Sequence, residues 1–210
     1  MTNRNVKIAK QLIKLAKSLI ALDEEGDGSG FQILHDMNNA GLSDEARLEE
    51  AGKAGKKYIL WKKEHGLWRI MACKDFGYVK KGDLGGFVKS EDNLSHDGNC
   101  WIFDNAMVGG NARVYGDAKV YDGAKVYDGA EVYDGAIVDD GAEVCGDGTK
   151  VFGGAEVCGD GTKVFGGAKV CDYGTKVYGG ATIIGKETWV YGGAKVDYDV
   201  SETQIRFFGK

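Results

Sequence analysis

The chain has 210 residues and a formal net charge of -5, with 27 Lys plus Arg against 32 Asp plus Glu. That balance gives no general case for nucleic-acid binding, and 43% hydrophobic content is ordinary for a soluble protein. Thirty-four Gly and no Pro point to many sharp corners, while five Cys without a CxxC pair and three His provide no zinc motif.

Residues 1–22 are predicted to form an amphipathic helix. Ile8, Leu12, Leu15, Leu19 and Leu22 are spaced four, three, four and three, and Lys7, Lys10, Lys14 and Lys17 lie on other faces. This is a heptad seam with a basic flank. Three uses are open: a helix docked on its own protein, a self-association seam, or a handle for another protein. Membrane-surface contact is the least favoured. Lysines interrupt the apolar residues, so the segment reads neither as a secretion signal nor as a transmembrane span.

Residues 23–56 form an acidic linker and a second short helix, with Ser43 as its N-cap and acidic residues in its first turn. Residues 57–80 are predicted as a β-hairpin about Glu64-His65-Gly66, with Trp61, Trp68, Ile70 and Met71 supplying an apolar face. The hairpin would cap the open N-terminal end of the stacked strands in residues 81–200.

Residues 81–200 are dominated by one short phrase, such as Ala118-Lys-Val-Tyr-Asp-Gly. Ile102, Val108, Val114, Val120, Val126, Val132, Val138 and Val144 are six apart. Val151, Val157, Val164, Val170, Val177, Ile183, Val190 and Val196 continue with alternating steps of seven and six. Two residues before nearly every one stands Ala or Thr. Small-x-Val alternates in, out, in, which is a very short strand. Gly, Asp and Asn between strands tolerate positive φ at a corner. One unit cannot bury its apolar face alone, so units stack into a parallel β-solenoid. Glycine at this frequency excludes an α-helix. Residues 201–210 would add a C-terminal closing strand.

Two coil geometries compete. Ala142–Gly154 recurs unchanged as 155–167, and this thirteen-residue unit suits a flattened, two-sided coil of 12–13 residues per turn. That coil would stack Cys145, Cys158 and Cys171 in one column, and lysine over lysine. A three-sided coil of about eighteen residues per turn instead pairs Arg113 with Glu131 with Lys150, and Lys125 with Glu143 with Lys163. Like charges directly opposite are unfavourable, so the three-sided form is preferred. The cysteines interchange with Tyr and Phe at the same repeat position and read as side-chain filler. Free cysteine favours a reducing compartment.

The motif Val-Tyr-Gly-Asp-Ala-Lys, with the lead-in Lys80-Lys-Gly-Asp-Leu-Gly-Gly-Phe-Val and Asn93-Leu-Ser-His-Asp-Gly-Asn-Cys-Trp, resembles the hexapeptide-repeat (trimeric LpxA-like) superfamily. The resemblance covers roughly residues 68–200. It is nearest to a bacterial and phage branch carrying Asn-Ala-Arg-Val-Tyr-Gly repeats. It implies a mainly β, left-handed, three-sided parallel β-helix. It also implies that relatives are mostly acyltransferases with a catalytic His on a coil, acting as general base.

No His lies between Ile102 and Val196, and no large loop interrupts the coils. His96, in the lead-in beside Asp97, offers a His-Asp pair, and a turn or cap role is the favoured account of it. No catalytic, cofactor-binding or metal residue is assigned. The expectation is therefore a non-enzymatic structural or assembly protein: a rigid rod, cytoplasmic or virion-associated, that oligomerises (a trimer is one form) or docks another protein. Two alternatives are carried: an acyltransferase-like enzyme or degenerate relative, and a glycan- or surface-binding module using Tyr115, Tyr121, Tyr127 and Tyr133.

Overall fold

The structure is a computed structural model that describes residues 43–159, 161–165, 168–170, 175–185, 188–191 and 195–201. The seam Ile8, Leu12, Leu15, Leu19 and Leu22, together with His35, Cys171 and the closing strand beyond Ser201, lies outside the described residues. Helix α1 spans Asp44–Lys53. Ser43 Oγ accepts the Ala46 N–H at 3.3 Å, and Arg47 pairs with Asp44 one turn away. The cap answers an N-terminus that exposes unpaired amide donors, and the ion pair joins neighbours three apart on one helix face.

Residues 50–210 form one contact unit. Strands β1 (Tyr58–Glu64) and β2 (Leu67–Ala72) pair antiparallel. His65 (φ 50°) and Gly66 (φ 84°) make the turn, two successive left-handed residues as a tight hairpin requires. Strand β3 (Leu84–Val88) pairs antiparallel with β2 on one side and parallel with Met107–Val108 on the other. The hairpin is thus continuous with one face of the coil.

From there the strands form three parallel ladders. The first runs from Phe87-Val88 through Met107–Val108, Lys125–Tyr127, Glu143–Cys145, Lys163–Phe165 and Thr182–Ile184 to Val200–Ser201. The second runs from Trp101–Ile102 to Lys195–Val196 in six strands, hence five coil-to-coil steps. The third runs from Arg113–Val114 to Trp189–Val190. Five steps at ~4.8 Å give a rod core of about 25 Å. The coil is three-sided.

The registers show why. Arg113 faces Glu131, which faces Lys150; Lys125 faces Glu143, which faces Lys163. Glu131 accepts from Lys150 Nζ at 2.9 Å, and Glu143 from Lys125 Nζ at 3.3 Å. The two-sided alternative fails at Cys145, which lies opposite Tyr127, whereas Cys158 follows a strand on another face. The extra residue of the seven-residue steps sits in corners such as Gly146-Asp147-Gly148, where both glycines have positive φ (92° and 79°).

Inside, Val108, Val114, Val120, Val126, Val132, Val138, Val144, Val151, Val157, Val164, Val170, Val177, Ile183, Val190 and Val196 have no exposed surface. Ala at the small position is equally buried, and so are Thr149, Thr162, Thr175 and Thr188. Two Thr hydroxyls bond backbone: Thr162 Oγ1 accepts Gly180 N–H on the next coil at 3.0 Å and Thr188 Oγ1 donates to Ile184 O at 2.8 Å. The coil starts before Ile102. Val88 and Leu94 already occupy the inner column, and Leu94 bridges to Val114. Asn93, 1% exposed, closes this first turn. Its Oδ1 accepts Lys89 and Ser90 N–H, and its Nδ2 donates to Gly110 O and Ala112 O. All four of its hydrogen-bonding positions are therefore used, as burial demands.

Candidate functional site

Polar chemistry concentrates where the hairpin meets the first coil. Lys57, just before β1, is 1% exposed. Its Nζ lies 2.9 Å from Cys100 O, 3.2 Å from Cys100 Sγ, and 3.4 Å from both Asp97 O and Gly98 O. Burial lowers the Lys57 pKa, and burial raises that of the Cys100 thiol. The Tyr58 phenol reaches Leu94 O at 2.8 Å and Glu91 O at 3.0 Å, and its ring stacks on His96 with centroids 4.4 Å apart. These contacts fasten residues 91–100 to the hairpin.

His96 is part of that fastening. Its Nδ1 accepts the Lys57 backbone N–H at 3.2 Å, and burial lowers its pKa. The neutral ring therefore carries its proton on Nε2. That atom is buried and has no hydrogen-bond partner among the described residues. In this arrangement His96 has no free lone pair with which to act as a base. Its neighbour Asp97 is exposed and is not hydrogen-bonded to the ring in the described contacts.

A cleft of about 360 Å³ is lined by Asp92, Ser95, Arg113, Val114, Tyr115 and Glu131, with His96 outside its lining. Glu131 Oε2 accepts from both the Tyr115 hydroxyl (3.1 Å) and Lys150. The Lys150 hydrogen bond is the main reason its pKa is lowered. Burial, then the Glu131 hydrogen bond, pushes the Tyr115 phenol up. The Arg113 guanidinium is exposed and makes no hydrogen bond or ion pair among the described residues.

The four tyrosines of the candidate surface row are spread over three columns. Tyr115 and Tyr133 share one, with ring centroids 4.7 Å apart and planes 4° apart; Phe152 continues it at 4.9 Å and 1°. Tyr121 packs edge-on to Phe103 in a second column, and Tyr127 lies opposite Cys145 in the third. Six residues per rung and three rungs per turn make every third tyrosine a neighbour. Lys57 and Cys100 carried no sequence signal that singled them out, because Lys57 stands in a run of lysines and Cys100 belongs to no paired motif, and Tyr115 was singled out only as one of a row of four tyrosines.

No family model matches the chain. Over 73 residues the chain is 36% identical to a protein named "Uncharacterized acetyltransferase YdcK" of Escherichia coli (strain K12). The match covers 34% of this chain and 21% of that relative, so the chain aligns with about a fifth of the relative's length. A relative named as an acetyltransferase and a three-sided parallel coil both fit the hexapeptide-repeat β-helix superfamily. The similarity corrects the expectation of a non-enzymatic structural rod with a virion or scaffold role. That expectation rested on the lack of His within the coils and leaned on a phage branch, to which the relative lends no support. Among the described residues no helix is long and apolar enough to cross a membrane, and no group of three or more His, Cys, Asp or Glu could hold a metal.

Proposed function

We propose that the chain is an acyltransferase-like hexapeptide-repeat protein that moves an acetyl group from a thioester donor to a hydroxyl or amine. The observation that carries this reading is the 36% identity over 73 residues to a protein named as an acetyltransferase. The acceptor's oxygen or nitrogen attacks the thioester carbonyl carbon, the C–S bond breaks, and a base takes the acceptor's proton. His96 is our candidate for that base. Its use requires release of the Lys57 N–H so that Nδ1 regains a lone pair. The cleft lined by Ser95, Arg113 and Asp92 is the candidate acceptor-side surface. The resemblance to trimeric relatives supports a trimer, with residues 1–22 as a further association element and 57–80 as the cap on the coil.

The test is acetyl-coenzyme A turnover by the full chain against a panel of amine and hydroxyl acceptors, read as acetylated product by mass spectrometry. We expect acceptor-dependent transfer that His96→Ala abolishes. Lack of donor-dependent product with every acceptor overturns the reading. Full transfer by His96→Ala removes the base from His96.

A further inference from the structure

Along the third face, Tyr133 N–H donates to Val151 O and Tyr115 N–H to Val132 O. Ser95 N–H donates to Val114 O in the same pattern, at 3.0 Å. Ser95 is therefore the next rung of the column that holds Tyr115, Tyr133 and Phe152. Those three rings stack parallel at 4.7 and 4.9 Å. At Ser95 the column loses its ring, so the outer face of Tyr115 has no aromatic cover and the cleft lies over it.

We propose that this open rung binds the base of a purine nucleotide. A flat heteroaromatic ring continues a stack whose members are parallel within 4°. Base–aromatic stacking is favourable on any base face. The rim supplies complementary groups. Arg113 presents a guanidinium that is unpaired among the described residues and suited to a phosphate. Exposed Asp92 offers a carboxylate to an exocyclic amine. Ser95 Oγ already accepts the Asp97 N–H at 3.0 Å, which leaves its O–H free to donate. Glu131 is engaged by Lys150 and the Tyr115 hydroxyl, so it does not repel the phosphate as a bare carboxylate would. The inference rests on the proposed function in using the cleft given there as the acceptor-side surface, and it names the ligand chemistry that cleft takes. AMP carries no acyl group, so its binding and the transfer assay can fail separately.

The experiment is titration of the full chain with AMP, followed by the ring-proton shifts of adenine and Tyr115 and by calorimetry. We expect saturable binding with upfield shifts of both rings. Tyr115→Ala and Arg113→Ala should each weaken it about tenfold or more. Ser95→Tyr should fill the rung with the protein's own ring, abolish AMP binding and raise the melting temperature, so its loss of binding is not loss of fold. Arg113→Ala changes an exposed group and keeps the fold. No shift at millimolar AMP, binding that survives Ser95→Tyr, or equal shifts with a neutral pyranoside each overturn the proposal.

Discussion

The Lys57 backbone N–H points at His96 Nδ1 across 3.2 Å, and the pair ties the start of the hairpin to the lead-in of the first coil. Protonating His96 places a second hydrogen where that N–H already donates. The folded state thus resists the proton more than the unfolded chain does, as the lowered pKa expresses. The sign follows by linkage. Stability is full above the ordinary value of 6.5 and falls as pH drops below it toward the folded pKa. Urea melts at pH 7.5 and 5.5 should show this loss in the native chain and a smaller one in His96→Gln.

Asp139 should respond in the opposite sense. It occupies the column position held by Tyr121 one coil earlier, and its Oδ1 is buried without a partner among the described residues. Burial, with Asp140, Glu156 and Asp122 nearby, raises its pKa from 3.8 to about 6. The folded state holds the proton more tightly, so this contribution is full below pH 3.8 and is lost as pH rises through about 6. Asp139→Asn should raise stability at pH 7.5 by about 1.5 kcal/mol, discounted for partial exposure, and change little at pH 4. Thermal melts at the two pH values check it.

Corner glycines should separate into two classes. Gly110 (φ +57°) and Gly123 (φ +76°) both lie in the left-handed region. A Cβ at Gly123 meets open space, whereas one at Gly110 comes 2.9 Å from Asp128 N on the next coil. Gly123→Ala should cost about 1 kcal/mol, the left-handed penalty alone. Gly110→Ala should cost more, because backbone must shift. Denaturant midpoints of the two variants give the comparison.

The charge columns predict a salt-dependent effect. Glu143 sits between Lys125 and Lys163, at 3.3 and 3.8 Å. Glu143→Lys puts three cations in one column and should cost about 1 kcal/mol at low salt. The loss should shrink at 0.5 M NaCl, where the Debye length is only a few ångströms. Melting with and without salt tests it.

Loss of the buried ammonium should be costly. Lys57→Ala leaves the carbonyls of Asp97, Gly98 and Cys100 without their shared donor, for about 2 kcal/mol. Hydrogen exchange should show residues 95–100 opening first.

The coil was legible because its period is local. Valine every six residues sets the rung, and Arg113, Glu131 and Lys150 set the number of sides through their charges. The first turn fell inside the span 81–200 read as stacked strands, but its rungs were not legible, since Val88, Leu94 and Ile102 are spaced six and eight and Asn93 rather than a repeat closes it. The candidate site was hidden for a related reason. Lys57 and Cys100 are 43 residues apart, and the cleft over Tyr115 is defined by what Ser95 lacks. The missing histidines within the regular repeat led to a non-enzymatic reading, although His96 lies on the first turn, just ahead of that repeat.

The identical segments 142–154 and 155–167 have unequal surroundings. Glu143 falls on the face of Lys125 and Lys163, while Glu156 falls beside Ile137 and Lys176. Cys145 meets Tyr127, and Cys158 lies near Asp139, whose charge adds to burial in pushing that thiol up. Two rungs are two-thirds of a turn, so copying them rotates everything downstream onto a different side. A tandem duplication in the gene can thus lengthen the rod and redeal its whole exterior in one event, with the Ala-Val interior unchanged. Only copies of three rungs preserve the exterior pattern, so growth by two rungs is a ready source of new surfaces on an old core.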